Sequence, residues 1–117
     1  FTNKYAGHTR SVLAHLELDQ WFDVIIGTGD PDCPYRKPDP LFTAHALEQM
    51  NCASEEAFMI GDSPYDLAAA EAGCIACHLV ATGSHSAEEL SKWIVSDYIY
   101  KDLHELGEKL FGLEPPK

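Results

Sequence analysis

Ala57-Phe58-Met59-Ile60-Gly61-Asp62-Ser63-Pro64-Tyr65-Asp66 is the stretch that decides the fold. The apolar run Ala57 to Ile60 has the length of a buried strand, and Gly61 lets the chain turn with no side chain in the way. Ser63-Pro64 is a helix start, with Pro at the first helical position, where a missing N–H is no loss. The Ala-rich stretch Leu67 to Ala72 continues the helix until Gly73 stops it, and Ile75 to Val80 is the next strand.

Working upstream, Asp39-Pro40 repeats the start signal, and Phe42, Ala46, Leu47 and Met50 form the buried stripe of a helix ending near Asn51. The segment Thr28 to Pro38 contains Gly29, Pro31, Pro34 and Pro38 and is a loop. Before it come a strand Val24-Ile25-Ile26 and a helix from about His8 to Leu16. Downstream, Ser86 and Glu89 make a capping box for a short helix, Tyr98-Ile99-Tyr100 is a last edge strand, and Asp102 to Phe111 a terminal helix. Residues 112–117, with Pro115-Pro116, are a tail. Strands alternating with helices predict an α/β fold, a parallel sheet with helices on both faces, in a single domain spanning 1–117.

The chain of 117 residues is 45% hydrophobic and 23% charged, a composition that can build a core. Its 19 Asp and Glu against 8 Lys and Arg give a formal charge of −11, a field that repels nucleic acid and anionic lipid. No apolar run approaches the length of a membrane span, and no signal peptide is visible. Cys33, Cys52, Cys74 and Cys77 lack the dense spacing of a disulfide framework, which fits a cytoplasmic setting. Cys74 and Cys77 form a C-x-x-C without a second pair, inside the apolar run Gly73 to Val80, so the motif reads as core rather than as a zinc or redox site. The first residues, Phe1-Thr2-Asn3-Lys4, resemble the end of a strand whose beginning lies upstream.

In such sheets ligands bind at the carboxyl ends of the strands. Three polar clusters are expected there: Thr2-Asn3, the loop run Arg36-Lys37-Pro38-Asp39-Pro40, and Gly61 to Asp66. Asp62 projects from a strand tip, and Asp66 lies one helical turn on. Two carboxylates with few compensating charges suit magnesium, which takes one or two carboxylates plus water and substrate phosphate. Lys37 supplies a point charge for that phosphate, and the Thr2 hydroxyl and Asn3 amide can donate to its oxygens. Ser63 and Asp66 also fit the S-x-x-D capping pattern, in which Asp66 only satisfies backbone N–H groups, and both readings stand at this point. His78, in an apolar strand, reads as packed; His85, in the loop after Thr82-Gly83, lies near the same sheet end.

The aromatic-Asp pair Phe22-Asp23, then Lys37-Pro38-Asp39-Pro40, Gly61-Asp62-Ser63 with Asp66, and Ala72-Gly73 resemble the haloacid dehalogenase (HAD) superfamily, closest to its phosphoglycolate phosphatase and pyrophosphatase-like branch. The resemblance covers nearly the whole chain, including Asp97-Tyr98-Ile99 and Asp102-Leu103. It implies a Rossmann-like three-layer α/β/α core and a magnesium-dependent phosphatase acting on small phosphorylated metabolites through an aspartyl-phosphate intermediate. Thr2 would bind the transferring phosphoryl group with Asn3 beside it, Lys37 would neutralise charge, Asp62 would ligate Mg²⁺, and Asp66 would hold the metal's waters or Lys37 from the second shell.

Family members carry an Asp-x-Asp motif on a first strand, ahead of the position of Thr2, and a cap domain soon after it. Neither has a counterpart here, so the core is expected to be incomplete and the isolated chain inactive. The family places that strand between the ones ending at Thr2 and Asp62, so two unpaired halves are expected. The alternatives are a non-catalytic remnant that binds a partner or anion, or a phosphomutase; retained magnesium carboxylates argue against a dehalogenase.

Overall fold

The computed structural model describes residues 1–30 and 34–113. Pro31 and Cys33 of the loop and the Pro115-Pro116 tail lie outside the described residues. In chain order the elements are α1 (Ala6–His15), α2 (Pro40–Met50), β1 (Phe58–Gly61), α3 (Pro64–Ala72), β2 (Ala76–Val80), α4 (Ala87–Leu90), β3 (Ile99–Tyr100) and α5 (Leu103–Phe111). Helix starts follow local chemistry. Asp39 Oδ1 accepts from the Leu41 N–H at 2.9 Å ahead of Pro40, Ser86 and Glu89 exchange reciprocal bonds, and Asp102 Oδ1 accepts from the Glu105 N–H at 2.9 Å. Asn51 closes α2 in the left-handed region at φ 52°, a conformation that Asn tolerates better than most residues.

β1, β2 and β3 form a parallel sheet in that order, with Met59 opposite Cys77 and Val80 opposite Tyr100. Because side chains alternate along a strand, Met59, Cys77 and Leu79 meet Ala69 and Ala70 of α3 on one face. Val80 and Tyr100 meet Leu106 of α5 on the other. This is the three-layer α/β/α arrangement expected from the alternation of elements. The His78 side chain is buried on the α5 face, its Nδ1 3.1 Å from the Tyr100 hydroxyl and its ring against Phe58, Tyr98 and Tyr100. It is packed, as its place in an apolar strand predicts.

α2 carries a second apolar cluster of Phe42 and Ala46 with Ile26, and joins α3 through Thr43, whose buried hydroxyl donates to the Ala69 carbonyl at 2.9 Å. Phe1 packs against this cluster and against the sheet cluster, its ring edge-on to Phe42 at 4.8 Å.

The strand expected at Val24-Ile25-Ile26 is an extended segment without a regular ladder. It runs beside the first residues, with Thr2 N–H donating to Ile26 O at 3.0 Å and Thr28 N–H to Lys4 O at 2.8 Å, and it forms one parallel bridge, Tyr5 with Thr28. A two-stranded pair without a third neighbour is the weakest form of sheet. Among the described residues no strand links this pair to β1, whose far edge is open. A cavity of about 230 Å³, lined by Phe1, Ala46, Phe58, Met59, Ile60 and Ile75 among others, lies between them. The expectation of two unpaired halves is met. Among the described residues no helix is long and apolar enough to cross a membrane.

Phe42 is fully buried. Phe42→Ala should cost about 3–5 kcal/mol of unfolding free energy, measured by urea titration, since the ring fills the space between Phe1, Ile26 and Ala46. A loss under about 1 kcal/mol would mean that the second cluster contributes little to folding.

Candidate functional site

The carboxyl end of β1 turns directly into α3, and this places Asp62 and Asp66 side by side. A Cβ at residue 61 would overlap the Asp66 side chain, so only glycine permits the turn. Asp66 is buried, and both of its oxygens are engaged. Oδ2 accepts from the Asp62 N–H at 3.1 Å, the Ser63 N–H at 3.2 Å and the Ser63 hydroxyl at 2.9 Å; Oδ1 takes the Lys37 ammonium at 2.8 Å. Asp66 thus caps the start of α3, and of the two roles that the family resemblance implied for it, it holds Lys37. With this many donors it has little capacity left for a metal ion.

Lys37 reaches this point from the long loop. Its ammonium sits 4.6 Å from the centroid of the Phe1 ring as well as on Asp66, and the Lys37 and Asp66 side chains are only 13% and 9% exposed. Burial pushes the Asp66 carboxyl up, but the Lys37 hydrogen bond and charge, aided by the Ser63 hydroxyl and the Asp62 N–H, overcome it and hold the group below the usual carboxylate range.

Asn3 bonds the main chain of Lys37. Its Oδ1 accepts from the Lys37 N–H at 2.6 Å and its Nδ2 donates to the Lys37 carbonyl at 3.3 Å, so both ends of the amide face the loop backbone. The Thr2 hydroxyl accepts from the Lys4 N–H at 3.2 Å and keeps its own proton to give. Contacts thus run from Asn3 through Lys37 and Asp66 to Asp62 and Ser63, joining all three polar clusters found in the sequence.

Asp62 differs from Asp66 in being exposed, and among the described residues no donor is bonded to its carboxylate. It faces Gly83, where a Cβ would overlap the carboxylate. Gly83 and the Phe1 ring were not singled out from the sequence. The signal for Gly83 was the parallel pairing, which brings the loop after β2 beside the tip of β1: Gly61 lies opposite Leu79. His85, in that loop, is half-buried against Trp93 at 5.7 Å. Among the described residues no group of three or more His, Cys, Asp or Glu side chains could by itself hold a metal ion. Burial, with the Asp66 and Glu71 charges, pushes the Cys77 thiol up to about 12, so it stays protonated and is no nucleophile.

Lys37→Met leaves the Asp66 charge buried without its cation and should cost about 3–5 kcal/mol of stability in urea unfolding. Because the Asp66 pKa is depressed in the folded state, the stability it contributes is present above the unfolded value of about 3.9 and is lost as pH falls through the folded one. Asp66→Asn should therefore flatten the acid side of the stability profile; an acid limb as steep as that of the parent protein would show the pair to be immaterial.

A family model described as HAD-hydrolase-like matches residues 34–106. A protein of Caldanaerobacter subterraneus carrying the provisional name pyrophosphatase PpaX is 34% identical over 97% of this chain and 50% of its own length. Phosphoglycolate phosphatase of Rhodospirillum rubrum is 32% identical over 97% of the chain and 46% of its own. In structure, a protein of Clostridium acetobutylicum described as a predicted phosphatase superposes with a TM-score of 0.81 at 30% identity, over 96% of this chain and 50% of that one. The chain spans about half the length of these relatives. The matched residues 34–106 hold Lys37, Asp62 and Asp66 within the three-layer core, and on these grounds the chain belongs to the HAD-like hydrolases.

Proposed function

We propose that the protein to which this chain belongs is a phosphatase of small phosphorylated metabolites, of the kind that its relatives named phosphoglycolate phosphatase denote. The observation that supports this reading most is the pairing of opposite arrangements at one strand end: a buried carboxylate that holds an ammonium, beside an exposed carboxylate without a donor. A phosphate monoester brings negative charge, and Lys37, backed by Asp66, offers a fixed positive group to it. Thr2 donates its hydroxyl proton to a second phosphoryl oxygen.

The donor set also fits magnesium. Magnesium needs only one or two carboxylates and completes its shell with water and substrate oxygens, so the exposed carboxylate of Asp62, without a bonded donor among the described residues, is a suitable contribution. When bound, the ion would draw negative charge from the phosphoryl oxygens. In this reading the attacking carboxylate is the first Asp of the family's Asp-x-Asp motif, from a segment outside this sequence. Its oxygen bonds to phosphorus as the ester P–O bond breaks, and the departing oxygen takes a proton from the second Asp. Water then cleaves the acyl phosphate. Asp66 remains ionised throughout, holding Lys37.

The test is hydrolysis of phosphoglycolate and p-nitrophenyl phosphate by the whole protein, with and without Mg²⁺. Asp62→Asn should abolish the magnesium dependence and lower kcat by about 10²–10³. A variant that keeps both the rate and the magnesium response would remove Asp62 from the metal site, and a whole protein inert to all phosphate monoesters would remove the phosphatase reading.

A further inference from the structure

We propose that Asn3 is a positioning residue, which sets the place of the Lys37 ammonium by bonding both polar groups of the Lys37 main chain; the proposal rests on the phosphatase reading above. Lys37 belongs to the loop between Thr28 and Pro40, whose described residues form no regular element to hold it. A lysine head group on four methylenes is aimed only as well as its backbone is fixed. Two restraints act on the head, Asp66 Oδ1 at 2.8 Å and the Phe1 ring at 4.6 Å. Among the described residues two act on the backbone, and both come from Asn3: Oδ1 on the Lys37 N–H at 2.6 Å and Nδ2 on the Lys37 carbonyl at 3.3 Å.

A side-chain amide presents a donor and an acceptor side by side, so it binds one residue's N–H and C=O much as a neighbouring strand would. An ionised Asp can only accept, and a Leu of similar shape can do neither. Asn3 is itself secured, since Thr2 and Lys4 on either side of it are bonded to Ile26 and Thr28. The clamp therefore ties the loop to the extended segment that carries Thr2, and the two groups assigned to phosphate, the Thr2 hydroxyl and the Lys37 ammonium, are registered to each other by the residue between them in the contact chain. The competing role for Asn3 is direct donation to phosphate through its second N–H.

The two roles separate in a double-mutant cycle on the whole protein. If Asn3 acts through Lys37, Asn3→Leu should lower kcat by about 10²-fold with KM little changed, as for a misplaced catalytic group. It should lower kcat no further in a Lys37→Gln background, and Asn3→Asp, which keeps the acceptor, should fall between. Losses that multiply in the double variant would overturn the proposal in favour of direct contact with phosphate. Amide hydrogen exchange read at Lys37 gives a measure independent of activity: Asn3→Leu should speed it at least about tenfold, the loss of one to two net hydrogen bonds. Unchanged exchange at Lys37 would overturn the clamp while leaving the phosphatase reading intact. A parent protein without phosphatase activity would instead remove the positioning role together with that reading, whatever the exchange shows. Should Lys37→Gln fail to fold, the neutral pair Lys37→Gln/Asp66→Asn provides the background.

Discussion

The ion pair between Lys37 and Asp66 is the constraint on which the local structure turns. It joins residues 29 positions apart, one from the loop ahead of α2 and one from the first turn of α3. Taking two charges out of water is expensive, and the attraction between them repays the cost only when the remaining hydrogen-bonding capacity is also met. Here it is met by short-range geometry: the backbone turn at Gly61 aims the Asp62 and Ser63 N–H groups at one Asp66 oxygen and leaves the other for the ammonium. The glycine, the helix start and the buried pair are one unit, because each would be costly or sterically barred without the other two.

That unit divides labour between two carboxylates four residues apart. Asp66 is saturated and internal; Asp62 is solvated and open. The same residue type thus supplies a fixed counter-charge in one position and a free carboxylate four residues before it, and the difference comes from how many N–H groups the chain turn presents to each. An acidic protein of net charge −11 has many carboxylates, but this contrast of environment singles out two of them.

Much of this was legible in the sequence. The helix starts at Asp39-Pro40, Ser63-Pro64 and Asp102 rest on contacts within three residues, and the structure places them as expected. β1 and β2 were readable as apolar runs, and the alternation of elements gave the layers. Long-range placement was less readable. Val24-Ile25-Ile26 has the composition of a strand but forms no ladder, the single bridge falling beyond it at Thr28, because strand formation depends on a neighbour that composition does not report. Asn3 was read by what its amide could donate, whereas the partner it meets lies 34 residues away. Gly83 was read as part of a loop, and its importance depends on a side chain from another strand tip. Asp66 was read as a cap or as a carboxylate for magnesium; the structure shows the cap on one oxygen and Lys37 on the other.

The Phe1 ring is shared by the two apolar clusters, one centred on the sheet and α3 and the other on α2 and Ile26. Since no strand ladder links the two halves among the described residues, that ring, the Thr43 bond to α3 and the Lys37–Asp66 pair carry the mechanical connection between them. Cooperativity in such a molecule is concentrated in a few contacts rather than spread along a continuous sheet. The loop that brings Lys37 to its carboxylate is therefore also a hinge-pin of the folding unit, and the ammonium proposed to meet a phosphate is one whose release would weaken the join between the halves.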